Sequence, residues 1–91
     1  MSTILSLGGP DPVDVHVGAR LRALRNSQRL SQEKLANTVG VTFQQIQKYE
    51  SGVNRISASM LYGIARRLAV PVAAFFEGLP DTALGDPASR D

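Results

Sequence analysis

Residues 41–51 read VTFQQIQKYES, and their polar members fall into a pattern with chemical content. Gln44, Gln47, Lys48 and Ser51 recur at helical spacing on one side, while Val41, Ile46 and Tyr49 take the other. A glutamine amide presents a donor and an acceptor side by side, and a lysine ammonium donates in three directions. Uncharged and basic groups of this kind suit the edges of nucleic-acid bases and phosphate oxygens. Bond-breaking chemistry finds much less to work with. Ser31 and Lys34 have the Ser-x-x-Lys spacing in which a lysine activates a serine nucleophile, but this serine serves better as a helix N-cap. Glu33 and Glu50 are the only carboxylates within residues 15–76, and they belong to different helices, so no acid–base pair emerges. The single histidine, His16, reads as a solvent-exposed residue on the outer part of the first helix. With no cysteine there is neither a disulfide nor a cysteine-ligated zinc site, and no cofactor or metal is expected.

The elements that must position these groups are helices. Leu35, Ala36 and Val39 mark one helix, Gly40 ends it, and Ile46 and Tyr49 mark the next, so residues 32–51 describe two short helices crossing at a tight turn. Ala36 is expected where the two axes come closest, and Gly40 where the chain needs a positive φ. Ser31 caps the earlier helix, with Glu33 in its first turn complementing the helix dipole. Thr42 caps the later one, and Gln45 three residues on completes a capping box, which leaves the Gln45 side chain less free to reach a base. A longer helix over 13–26 precedes the pair, with Val13, Val17, Leu21 and Leu24 on its apolar face. Gly52 closes the third helix, Ser57 caps a fourth, and Leu61, Ile64, Ala65 and Leu68 give that fourth helix a core face. Pro71 stops it and opens a short fifth helix through 77. Residues 1–12 have no periodicity and read as a flexible arm, and 79–91 as a disordered acidic tail, which leaves 13–78 as the single domain.

Charge is distributed unevenly along the chain. Its formal net charge is +2, yet residues 15–76 carry nine Lys and Arg against Glu33 and Glu50, a formal +7. A basic module with acidic flanks is the electrostatic footprint of polyanion binding. The longest apolar run, 68–76, contains Pro71 and is far too short to span a bilayer, so an unexported cytoplasmic protein is the default expectation.

Across residues 17–78 the chain resembles the Cro and lambda-repressor-like, or XRE, family of helix-turn-helix transcriptional regulators. The resemblance rests on GARLRALR in the first helix, LSQEKLA opening the second, IQKYESG closing the third, and LYGIARRLAVPVAAFF in the fourth and fifth. It implies an all-α, compact five-helix bundle whose third helix enters the major groove of double-stranded DNA. The family positions facing the bases fall on Phe43, Gln44, Gln47 and Lys48, and those facing the DNA backbone on Gln32, Thr42, Asn54 and Arg55. Gln44 suits adenine and Lys48 suits guanine, whereas Phe43 departs from the polar residues common at its position and either meets a thymine methyl or packs back on the second helix. Arg25 and Glu50 match positions that form a structural salt bridge in the family.

Phe75, Phe76 and Leu79 form an apolar stripe that either seals the core or serves as a homodimer interface, the reading taken for the function below, because two adjacent phenylalanines on one short helix cannot both face the same core. The function expected is that of a dimeric repressor on an inverted-repeat operator, not of an enzyme. With only short tails beside the domain there is no room for a separate effector pocket, so regulation is expected from abundance, a partner or proteolysis. Two other roles fit the same residues: an antitoxin that represses its own operon, and a protein-interaction adaptor that no longer binds DNA.

Overall fold

The structure, a computed structural model, describes residues 10–80. Four α-helices and a terminal 3-10 segment follow one another: α1 (Pro12–Ser27), α2 (Gln32–Val39), α3 (Phe43–Ser51), α4 (Ala58–Leu68) and η1 (Val72–Phe76). Most of the expected arm and nearly all of the expected tail lie outside the described residues. The domain nevertheless begins earlier than residue 13, because Asp11 is the N-cap of α1, accepting from the Val13 N–H at 2.7 Å, and Pro12 occupies its first turn.

All the α-helices start and stop by the same devices. Ser31, Thr42 and Ser57 cap α2, α3 and α4 through hydroxyls that accept from Lys34 N, Gln45 N and Met60 N at 3.0, 3.1 and 3.1 Å. α2, α3 and α4 end on a residue with positive φ, Gly40 at 79°, Gly52 at 82° and Ala69 at 58°, while at the end of α1 the positive φ falls one residue past the C-cap Gln28, on Arg29 at 56°. At each, the following N–H reaches back five residues, as Leu30 does to Arg25 O and Val53 to Lys48 O, both at 3.1 Å, which satisfies carbonyls the helix leaves open. Arg29 and Ala69 accept a left-handed backbone that costs a residue with a Cβ about 1 kcal/mol.

The fifth helix expected after Pro71 is a 3-10 segment. Five residues between Pro71 and the extended Glu77 are too few for a ladder of i to i+4 bonds, and the tighter bond from Ala74 N to Pro71 O, 2.9 Å, forms instead. One core runs through all five elements: Leu21 from α1, Leu35 from α2, Ile46 from α3, Ile64 and Leu68 from α4, and Phe75 from η1 are its largest fully buried side chains. Phe75 is 0 % exposed and seals the bundle, a contribution of about 2–3 kcal/mol. Its assignment to a dimer seam is therefore corrected: within a 3-10 turn Phe75 and Phe76 point apart, and only Phe76 reaches the surface.

α1 crosses the end of α3 at very short range. A Cβ built on Gly18 would sit 2.2 Å from Tyr49 O and 2.8 Å from Glu50 O, so the crossing exists only because residue 18 has no side chain. At Gly52 a Cβ would lie 2.7 Å from Val15 Cα, and there the positive φ and the close approach demand glycine together.

Candidate nucleic-acid interface

α3 divides cleanly into two faces. Ile46 and Tyr49 are buried, whereas Phe43, Gln44, Gln47 and Lys48 are exposed. At about 100° per residue those four span an arc of about 140°, opposite the buried pair, so all four share one solvent-facing surface. Phe43 stays 41 % exposed, so it is not packed away beneath α2. The amides of Gln44 and Gln47 and the ammonium of Lys48 are thus offered outward in the arrangement that base-edge recognition uses.

What holds that surface still is a buried ion network behind it. Arg25 Nε donates to Glu50 Oε2 at 2.6 Å and Arg25 Nη2 to Oε1 at 3.1 Å, a two-pronged pair. Arg25 Nη1 also donates to the Leu30 carbonyl at 2.7 Å, and Gln32 Nε2 to Glu50 Oε1 at 2.9 Å. The two side chains are 9 % and 4 % exposed. One carboxylate therefore ties the end of α3 to α1 and to the first residue of α2. Among the described residues no buried side-chain polar atom lacks a partner.

The residues assigned to the DNA backbone divide by how much of their bonding capacity remains. Thr42 uses its oxygen as a cap acceptor and keeps its hydroxyl proton to donate. Gln32 has committed one amide N–H to Glu50, which makes it first a brace for α3. Asn54 is half-buried in the loop after α3, its N–H on Lys48 O at 3.3 Å. Arg55 departs most from expectation. Its Nε lies 3.0 Å from Asp14 Oδ2 and its Nη2 3.8 Å from Asp11 Oδ2, so it clips the loop to the start of α1, with 71 % of its side chain still exposed.

Sequence reasoning missed how the flanking carboxylates fold back. Arg20 donates to Ala74 O at 2.9 Å and pairs with Glu77 at 3.1 Å, while His16 Nε2 lies 2.6 Å from the Glu77 carbonyl. His16 is thus a half-buried clamp on the end of η1 and not the free surface residue expected, and its Nε2 carries the proton that the carbonyl accepts. The spacing of helix one gave no hint, because both partners lie some sixty positions away, with sequence separations of 54, 57 and 61. Counting Asp11, Asp14 and Glu77 as domain residues lowers the local charge to nine basic against five acidic groups over 10–80. Among the described residues no three His, Asp or Glu side chains are placed to share a metal ion, and no helix is long and apolar enough to cross a membrane.

The geometry agrees with what is found in other proteins. A family model described as Helix-turn-helix matches residues 21–75. An uncharacterized HTH-type transcriptional regulator of Sinorhizobium medicae is 55 % identical over 71 residues, 78 % of this chain and 51 % of the relative. An uncharacterized transcriptional regulator in the ATPase CF(0) region of Rhodospirillum rubrum is 59 % identical over 75 residues, 82 % of this chain and 67 % of that one. The chain thus spans about half the length of several relatives that it matches. Among solved structures, the restriction-modification controller protein C.AhdI of Aeromonas hydrophila superposes with a TM-score of 0.65 at 32 % identity, over 68 % of this chain and 94 % of its own. The clp gene regulator ClgR of Corynebacterium glutamicum shares the fold, with a TM-score of 0.71 at 20 % identity over 88 % of this chain and 89 % of that one. With its four helices, its exposed α3 face and a family match covering more than half of its length, the chain belongs to the XRE-type helix-turn-helix family of transcriptional regulators.

Proposed function

We propose that this chain binds duplex DNA sequence-specifically as a homodimer and represses transcription by occluding a promoter. The observation that carries the reading is the outward face of α3, where Phe43, Gln44, Gln47 and Lys48 stand clear of the core on a helix anchored from behind by Glu50. In this reading those four side chains meet base edges, and Gln32, Thr42, Asn54 and Arg55 meet the DNA backbone. Arg55 contributes while still paired, through the exposed part of its guanidinium. The DNA-binding unit runs from Asp11 to about residue 79.

Dimerisation follows from the reach of a single recognition helix, which reads only a few base pairs. A two-fold partner places a second helix about 34 Å away on the same side of the duplex and calls for an inverted-repeat operator. Phe76, 40 % exposed and sharing a cleft with the exposed Val13, supplies the apolar centre of the seam. The names of the relatives and of C.AhdI, all regulators, support the transcriptional role. Selection of bound sites from random duplex DNA tests the base contacts. Gln44→Ala and Lys48→Ala should each relax preference at one position per half-site by about 1–3 kcal/mol, whereas Arg55→Ala should weaken every sequence alike. Identical selected motifs from all three variants would refute the assignment.

A further inference from the structure

A second surface has the makings of a binding site. Between the C-terminal end of α2 and α4, from its first turn to its last, lies a groove of about 430 Å³, with Val39, Met60 and Gly63 along its floor and Thr38, Ser59, Arg66 and Arg67 on its rim. It sits at the opposite end of α2 from Gln32, which braces the recognition helix. The two arginines are held only by neutral groups: Arg67 Nε lies 3.4 Å from Thr38 Oγ1, and Arg66 lies 5.8 Å from the centre of the exposed Tyr62 ring. Arg20, Arg25 and Arg55 each face a carboxylate, whereas among the described residues Arg66 and Arg67, like Arg22 and Arg29, face none. Their place in the last turn of α4 suits the helix dipole, which accounts for positive charge there.

The dipole does not account for Gly63. Glycine inside an α-helix is less stable than alanine, and Gly18 and Gly52 show what justifies one in this fold: a close approach or a positive φ. Gly63 has neither, since a Cβ there would meet no atom within 4 Å. Among the described residues, the space above Gly63 is open. A bare backbone on an apolar floor admits a side chain from above, and two uncompensated guanidinium groups beside it select for carboxylates around that side chain.

We propose that this groove docks an acidic segment of a partner polypeptide, an apolar side chain seated over Gly63 and flanking carboxylates paired with Arg66 and Arg67. A second copy docked groove to groove fits poorly, because it would bring arginine against arginine. A nucleic-acid backbone would leave the apolar floor unused.

The test uses the full chain and an amidated peptide of repeating Glu-Leu-Leu-Glu, followed by backbone amide shifts and by fluorescence anisotropy. Shifts should concentrate on residues 38–39 and 60–67. Arg66→Glu with Arg67→Glu, and separately Gly63→Leu, should each weaken the peptide by at least about tenfold while operator DNA affinity changes less than about twofold for Gly63→Leu. Gly63→Ala should raise Tm by about 4 °C or more, since helix propensity improves with nothing to obstruct the methyl group. A fall in Tm would show an intramolecular reason for the glycine and overturn the proposal. So would equal peptide affinity in all variants, displacement of the peptide by duplex DNA, or a gain in affinity on deleting residues 81–91, which would make the chain's own acidic tail the occupant.

Discussion

Replacing Glu50 by alanine should cost stability first and DNA affinity as a consequence. The carboxylate accepts three hydrogen bonds, two from Arg25 and one from Gln32, at 2.6, 3.1 and 2.9 Å. Without it the Arg25 guanidinium, 9 % exposed, keeps only the Leu30 carbonyl as a partner. Stranding a buried charge in this way costs about 3–5 kcal/mol, and the surviving bond to Leu30 places the expected loss near the lower end. For a domain of this size about 3 kcal/mol lowers Tm by about 12–24 °C. Thermal unfolding followed by circular dichroism measures it. Glu50→Gln keeps an acceptor in place and should lose less, and Arg25→Met with Glu50→Leu should recover much of the loss, because removing both charges leaves none unpaired. A Tm within a few degrees of the parent for Glu50→Ala, with DNA binding still abolished, would show that Glu50 acts at the DNA surface and would refute the structural role.

Further outcomes follow from the same geometry. Operator affinity should fall about a thousandfold or more between about 50 and 200 mM salt if the dimer neutralises six or more phosphates, and salt-independent binding in a filter or anisotropy titration would rule the reading out. Ala69→Gly should raise Tm by about 4–8 °C, since the residue already sits at φ 58° and glycine removes about 1 kcal/mol of strain; an unchanged Tm would mean the cap relaxes at no cost. Phe76→Asp should give a folded monomer by sedimentation with weak operator binding, whereas Phe75→Asp should fail to fold, because its ring is wholly buried. A dimer that survives Phe76→Asp would move the interface elsewhere.

What the sequence made legible was local. Caps at Ser31, Thr42 and Ser57, the left-handed turns at Gly40 and Gly52, and the inward Ile46 and Tyr49 of α3 all depend on residues within one or two helical turns, and each lies where periodicity and capping chemistry put it. What escaped was set by partners distant in sequence or by backbone geometry alone. Nothing around His16 or Arg20 announces that residues 74–77 will fold back on them. The left-handed Arg29 and Ala69 carry side chains that no turn rule favours, so only the hydrogen bonds of the completed helix ends explain them. The adjacent phenylalanines rightly implied two destinations, but assigning the inward one required knowing that Pro71 leads into a 3-10 turn.

The distant interactions also decide how the candidate site works. α3 is nine residues long, too short to hold its shape alone in water, so its aim is set by what grips it. Its polar grip lies at the C-terminal end: the Gly18 crossing at Tyr49 and Glu50, the Gly52 contact with Val15, and the ion network of Glu50 with Arg25 and Gln32. Toward its N-terminal end, Ile46 is buried and the turn before the Thr42 cap ties it to α2, Val41 N donating to Ala36 O at 3.0 Å, while Phe43 and Gln44 project outward. A small change in tilt at the anchored end is therefore carried along the helix to every base-facing side chain at once. Substitutions at Gly18, Arg25 or Glu50 should degrade all base preferences together, while substitutions at Gln44, Gln47 or Lys48 should each alter one.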